Sequence, residues 1–194
     1  MDDKWFMDIV RQRRSFRKFA DAPVEAEKLA RIKESCVEAA SAFGCRSTRL
    51  VFIEDPVFRK KFIWAATSGI VGKVNPWMYL TKAPNFVVLA GYPQKGGTSG
   101  DRLLYLAEAS MIMETLLLSA TSLGLATCWM AGFGERGLAK ALGMPDDARI
   151  MAISPIGYPP AAPEISMDRV IRQAVSKSRK PMDRICFIHD RGGK

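Results

Sequence analysis

Apolar residues recur along the chain with two different periods, and the switches between them mark its elements. Leu29, Ile32, Cys36, Ala39 and Phe43 follow one another at alternating steps of three and four, the stripe of a helix packed on a core. Upstream, Trp5 and Ile9, with Arg13 one step further, place a first helix over about 4–14. The run LVFIE at 50–54 predicts a strand closed by Asp55 and Pro56, followed by a helical segment reaching about Ser68. A short, continuous apolar strand is predicted at 86–90, ended by Gly91, Pro93 and the glycine-rich stretch 96–100.

A long helix is predicted over 101–123. Beyond Arg102 its only charges are Glu108 and Glu114, so most of its circumference should be buried, and a second subunit is expected to cover it as the centre of a dimer interface. The uncharged stretch 115–134 is about as long as a membrane span. It is interrupted, however, by Ser119, Thr121, Ser122, Gly124, Thr127, Gly132 and Gly134, and is read as a buried helix followed by a buried strand at 125–130. A helix at 135–142 stopped by Gly143, and a strand at 150–156, complete this half. Pro155 cannot donate to a ladder, so the strand is expected to end, bulge or lie at an edge there. A proline-rich link then leads to a short helix at 167–175 and a strand-like segment at 185–189. Strands and helices alternate without many hairpin signals, which indicates an α/β or α+β layered structure.

The chain has 194 residues, enough to bury one core without disulfide or metal staples. Its net charge of +9 calls for an anionic partner: nucleic acid, acidic lipid or a phosphorylated small molecule. His189 is the only histidine, which sets aside a Ser-His-Asp triad or a histidine-rich zinc site. Cys36, Cys45, Cys128 and Cys186 are widely spaced and suit a reducing compartment. With an acidic, unsignal-like start, a cytoplasmic location is expected.

Two glycine motifs invite a nucleotide reading. Gly132 to Gly137 matches G-x-G-x-x-G after a predicted strand, but the acidic residue expected about 20 positions on is missing, because the chain there reads Ser154-Pro155-Ile156-Gly157. The segment Gly69 to Lys73 lacks P-loop spacing. The basic run Arg11-Gln12-Arg13-Arg14-Ser15-Phe16-Arg17-Lys18 is more informative, since its guanidinium groups and hydroxyl could fork around a phosphate. A second cluster, Lys177-Ser178-Arg179-Lys180, lies near the other end. Neither is interleaved with exposed aromatics for stacking bases, so nucleic-acid binding is the weaker alternative.

Taken in order, RRSFRKF at 13–19, APNFVVLAG at 83–91, the apolar stretch 108–133 containing GLATCW, and LGMPDDARIMAISPIGYP at 142–159 resemble the FMN-dependent nitroreductase family over nearly the whole chain. The resemblance implies an α+β fold, a nitroreductase-like central β-sheet flanked by helices, made as an intertwined homodimer with two FMN molecules at the subunit interface. A single domain then spans 1–194, with 176–194 as a C-terminal arm reaching the partner. By the same resemblance, Arg13, Arg14, Ser15 and Arg17 hold the FMN phosphate and ribityl chain, completed by Lys177 and Arg179. Gly132, with Ala131 beside it, faces the flavin ring, the Gly132 N–H being the candidate donor to N5.

The implied reaction is ping-pong transfer from NAD(P)H through FMN to a nitroaromatic, quinone or related acceptor. No catalytic side chain is required, because the flavin performs the redox chemistry. The chain departs from the family at Gly44-Cys45-Arg46-Ser47-Thr48-Arg49, where many members carry an Asn-x-Gln-Pro-Trp segment contacting the flavin. Arg46 and Ser47 are the candidates to take its place. An acidic residue that some members carry in the flavin loop is replaced by Ala131. These departures leave room for a non-catalytic flavin-binding protein, or for a related activity such as reductive dehalogenation or flavin fragmentation.

Overall fold

The computed structural model describes residues 4–42, 44–69, 76–99 and 102–161. In chain order the elements are α1 (Lys4–Gln12), α2 (Ala26–Ala42), β1 (Thr48–Ile53), α3 (Pro56–Ala66), a 3-10 turn (Pro76–Leu80), β2 (Asn85–Gly91), α4 (Pro93–Gly96), β3 (Thr98–Ser99), β4 (Arg102–Leu103), α5 (Leu104–Ser122), β5 (Ala126–Thr127), α6 (Glu135–Leu142) and β6 (Arg149–Gly157). Among the described residues, β1, β2, β6 and β5 form one sheet in that order, with every ladder antiparallel. This is the α+β arrangement expected. The predicted helix at 167–175, the strand-like segment at 185–189 and the cluster at 177–180 lie outside the described residues, as does Phe43.

The sheet is covered on both faces. Phe86 and Val88 of β2 join Phe62, Met78, Leu138 and Ile153 in one core, under α3, the 3-10 turn and α6. Val87 and Leu89 join Leu29, Ile32, Cys36, Ile112, Met113 and Leu116 in a second, under α2 and α5. A strand buried on both faces has no solvent side to carry polar residues, which is why 86–90 reads as a continuous apolar run.

Local signals set the helix ends. Asp55, in extended conformation, accepts hydrogen bonds from the Val57 and Phe58 N–H groups at 3.0 Å each, and Pro56 follows at the first helical position. At the other end of α5, Gly124 adopts φ of 73° and lets the Leu125 N–H reach back to the Ala120 carbonyl at 2.9 Å. This turn ends the helix inside the uncharged stretch. Among the described residues no helix is long and apolar enough to cross a membrane. The α5 helix starts later than expected because the chain first closes the small β3–β4 hairpin, Thr98 opposite Leu103.

Pro155 corrects the sequence reading. The strand neither ends nor lies at an edge there: β6 runs on to Gly157 in the sheet interior, with Pro155 opposite Phe86. The missing donor is accommodated on the other side, where β5 lapses. Cys128 donates its N–H to Ser154 Oγ at 3.2 Å instead of continuing the ladder, and pairing resumes as a bridge between Met130 and Ile153. The one register shift between β2 and β6 falls at Leu89 and Ala90, far from the proline.

Candidate functional site

The basic run after α1 is pinned to the outer edge of β5. Ser15 forms a parallel bridge with Thr127, and the Phe16 N–H donates to the Thr127 carbonyl at 2.8 Å. Further on, the Ala20 N–H donates to the Tyr158 carbonyl at 2.9 Å. The two aromatics of the run are its anchors. Phe19 is buried in the core and Phe16 packs against it. Gly157 makes room for this, since a Cβ there would stand 2.8 Å from Pro84 Cδ and 3.1 Å from Phe19 Cδ1.

With the aromatics turned inward, Arg14 and Ser15 are exposed and Arg13 and Arg17 half-buried. Arg13 Nε lies 3.4 Å from Glu114 Oε1 on α5. That contact occupies one of the five guanidinium N–H groups and leaves the terminal nitrogens to another acceptor. Arg14 forms no ion pair among the described residues. Four residues along the same edge, about 13 Å on at strand rise, Ala131 and Gly132 are exposed, close enough for one elongated ligand to touch both groups.

The glycine motif has a different explanation from nucleotide binding. The Gly134 N–H donates to the Ala66 carbonyl at 2.7 Å. A Cβ on Gly134 would collide with Ser68 Oγ, and one on Gly137 would stand 2.8 Å from the same oxygen and 3.2 Å from the Ala65 carbonyl. Both glycines allow α6 to pack closely on the C-terminal turn of α3. The donor set of a phosphate-binding loop is not assembled there.

The other candidates form a separate node. Ser47 is fully buried just before β1. Its N–H donates to Glu108 Oε2 at 3.2 Å, its hydroxyl forms a short hydrogen bond to the same oxygen, and its carbonyl accepts the Tyr92 N–H at 2.7 Å. Arg46 beside it is exposed. Burial first, and the Glu108 charge second, raise the Cys45 thiol above its ordinary range. Burial alone pushes Cys36 up to about 12, so that thiol stays protonated and inert.

Within one chain the two nodes do not meet. β1 and β5 are opposite edges of the sheet, about 14 Å apart at three strand spacings. Ser47 sits at the Gly91–Arg149 end, whereas Ser15 faces Thr127 near the Ile156 end. Lys177 and Arg179 lie outside the described residues. Glu114 and Glu108 were not singled out as site residues from sequence. The available signal was that they are the only charges in an otherwise apolar helical stretch.

The surroundings of the site match known proteins across the chain. The YfhC protein of Bacillus subtilis (strain 168), named as an NAD(P)H nitroreductase, is 28% identical over 177 residues, covering 85% of this chain and 90% of that protein. The crystal structure of a nitroreductase family protein from Clostridium novyi NT superposes with a TM-score of 0.71 at 26% identity, over 84% of this chain and 90% of that one. The NADPH:FMN oxidoreductase from Vibrio harveyi, solved with NAD+, gives a TM-score of 0.71 at 18% identity, over 98% of this chain and 79% of that one. The model of the nitroreductase family matches residues 10–158, a span that begins just before the pinned basic run and ends at the Tyr158 whose carbonyl holds it. The chain belongs to the nitroreductase family.

Proposed function

We propose that this oxidoreductase of the nitroreductase family binds FMN and transfers reducing equivalents from NAD(P)H, by a ping-pong sequence, to a nitroaromatic, quinone or related acceptor. The observation that carries the reading is the anchoring of the 13–17 run along β5, beside exposed Ala131 and Gly132. The donor set fits the cofactor: three guanidinium groups and a hydroxyl suit a phosphate carrying close to two negative charges. Arg13, Arg14, Ser15 and Arg17 would hold the phosphate and ribityl chain, with Lys177 and Arg179 as the second cationic contribution. Ala131 and Gly132 would lie against the ring. FMN held there supplies the redox chemistry, and the chain supplies position and charge.

A homodimer is part of the reading. The Arg46–Ser47 node and the Ser15–Gly132 edge sit at opposite sides of the sheet, so a second chain is needed to bring them to one ligand. Apolar surface supports it: Trp5, Phe6, Met7 and Val10 on α1 are exposed, as are Leu104 and Leu106 on α5. Sedimentation at micromolar concentration should give a dimer, and a monomer overturns that part.

The absorbance spectrum tests the activity. The purified or FMN-reconstituted protein should be yellow and bleach on adding NADH or NADPH, recovering colour with a quinone. A colourless protein that FMN does not reconstitute overturns the reading. Binding of FMN without bleaching selects a non-catalytic flavin protein.

A further inference from the structure

We propose, resting on the FMN reading above, that Glu108 is the positioning residue of the 44–49 segment, and that Arg46 rather than Ser47 is the side chain this segment offers to the cofactor. From sequence the two neighbours are equal candidates. The structure separates them. Ser47 is fully buried, and both of its donors, N–H and Oγ–H, end on the single oxygen Oε2 of Glu108. A hydroxyl already donating to a carboxylate has no second proton for a ligand. Arg46 is exposed and makes no ion pair among the described residues.

The carboxylate thereby ties three pieces of chain together. It projects from α5, holds the backbone just ahead of β1 through Ser47, and through the Ser47 carbonyl reaches the Tyr92 N–H at the end of β2. Gly96 completes the fit, since a Cβ there would stand 3.1 Å from Ser47 Oγ and 2.9 Å from the Tyr105 nitrogen. A charged acceptor shared by two donors makes a stronger clamp than a neutral one. The segment lacks the rigid proline and tryptophan that the family resemblance leads one to expect at this place, and the Glu108 clamp supplies rigidity from a distant element instead.

The test is FMN titration, by flavin fluorescence, of the wild-type protein and of Ser47→Ala, Glu108→Ala, the double variant, Glu108→Gln and Arg46→Ala. Ser47→Ala and Glu108→Ala should each weaken FMN roughly tenfold, the scale of one charge-assisted hydrogen bond. The double variant should be no weaker than the worse single one, because both act through one contact. Glu108→Gln, which keeps an acceptor oxygen, should recover most of the affinity, and Arg46→Ala should weaken FMN without altering the fold. Additive losses, or unchanged affinity in Glu108→Ala, overturn the proposal. A wild-type chain that binds no FMN overturns the functional reading instead. Hydrogen exchange then reads the same device without flavin: the Ser47 and Tyr92 amides should exchange faster in Glu108→Ala, and unchanged exchange overturns the positioning role.

Discussion

Ser15 lies opposite Thr127 in a parallel bridge, and this pairing lays the basic run along the strand edge that carries Ala131 and Gly132. Charge, otherwise scattered over a chain of net +9, is thereby gathered at one place. Arg17→Ala should weaken FMN binding by about 1.5–3 kcal/mol, the contribution of a hydrogen bond to a charged group. Isothermal titration measures it, and unchanged affinity removes Arg17 from the site.

Packing, and not phosphate binding, explains Gly134. Adding a methyl group brings it within 3.0 Å of the Ala65 carbonyl as well as onto Ser68. Gly134→Ala should therefore destabilise the fold by about 1–3 kcal/mol in a denaturant titration. The KM for NAD(P)H should stay at the wild-type value in the folded variant; a large rise with unchanged stability would return the motif to nucleotide binding.

The start of α3 depends on one carboxylate. Asp55 accepts from two N–H groups that have no partner inside the helix. Asp55→Ala should cost about 1 kcal/mol, whereas Asp55→Asn or Asp55→Ser should cost less. Equal loss in all three would mean that the cap contributes nothing.

Tyr158 donates its hydroxyl proton to Glu25 Oε2 at 2.6 Å and accepts from Lys28 Nζ at 2.6 Å. The Tyr158 hydrogen bond, chiefly, lowers the Glu25 carboxyl below 4.5 and raises the Lys28 ammonium above 10.5. A depressed carboxyl contributes stability above its unfolded value and loses it as pH falls through the folded one. A raised ammonium contributes below its unfolded value and loses it as pH rises through the folded one. Tyr158→Phe should thus lower the melting temperature most at intermediate pH. The gap from wild type should narrow under pH 4.5 and again over pH 10.5. A gap independent of pH would assign the effect to packing.

Elements were legible because their signals are local. The three-four stripe at Leu29, Ile32 and Cys36 became the buried face of α2, and Gly143, at φ of 62°, ended α6 where predicted. The family resemblance was legible as well, since its segments keep their order. Pro155 was misread because a missing donor says only that some partner must do without it. Which strand yields depends on the neighbours, and here β5 lapses while β6 continues.

The sequence by itself determined the helices, the strands, the family and the type of anion the basic run suits, because periodicity, caps and donor chemistry belong to short stretches of chain. Only the tertiary structure decided which of those residues meet. Ser47 and Glu108 stand 61 positions apart, and no local pattern indicates that one closes on the other. The same holds for Ser15 on Thr127 and for Gly134 against α3. The physical reason is common to all three: strand order and helix packing are settled by burying two apolar faces of one sheet at once, and polar contacts across the chain follow from that burial.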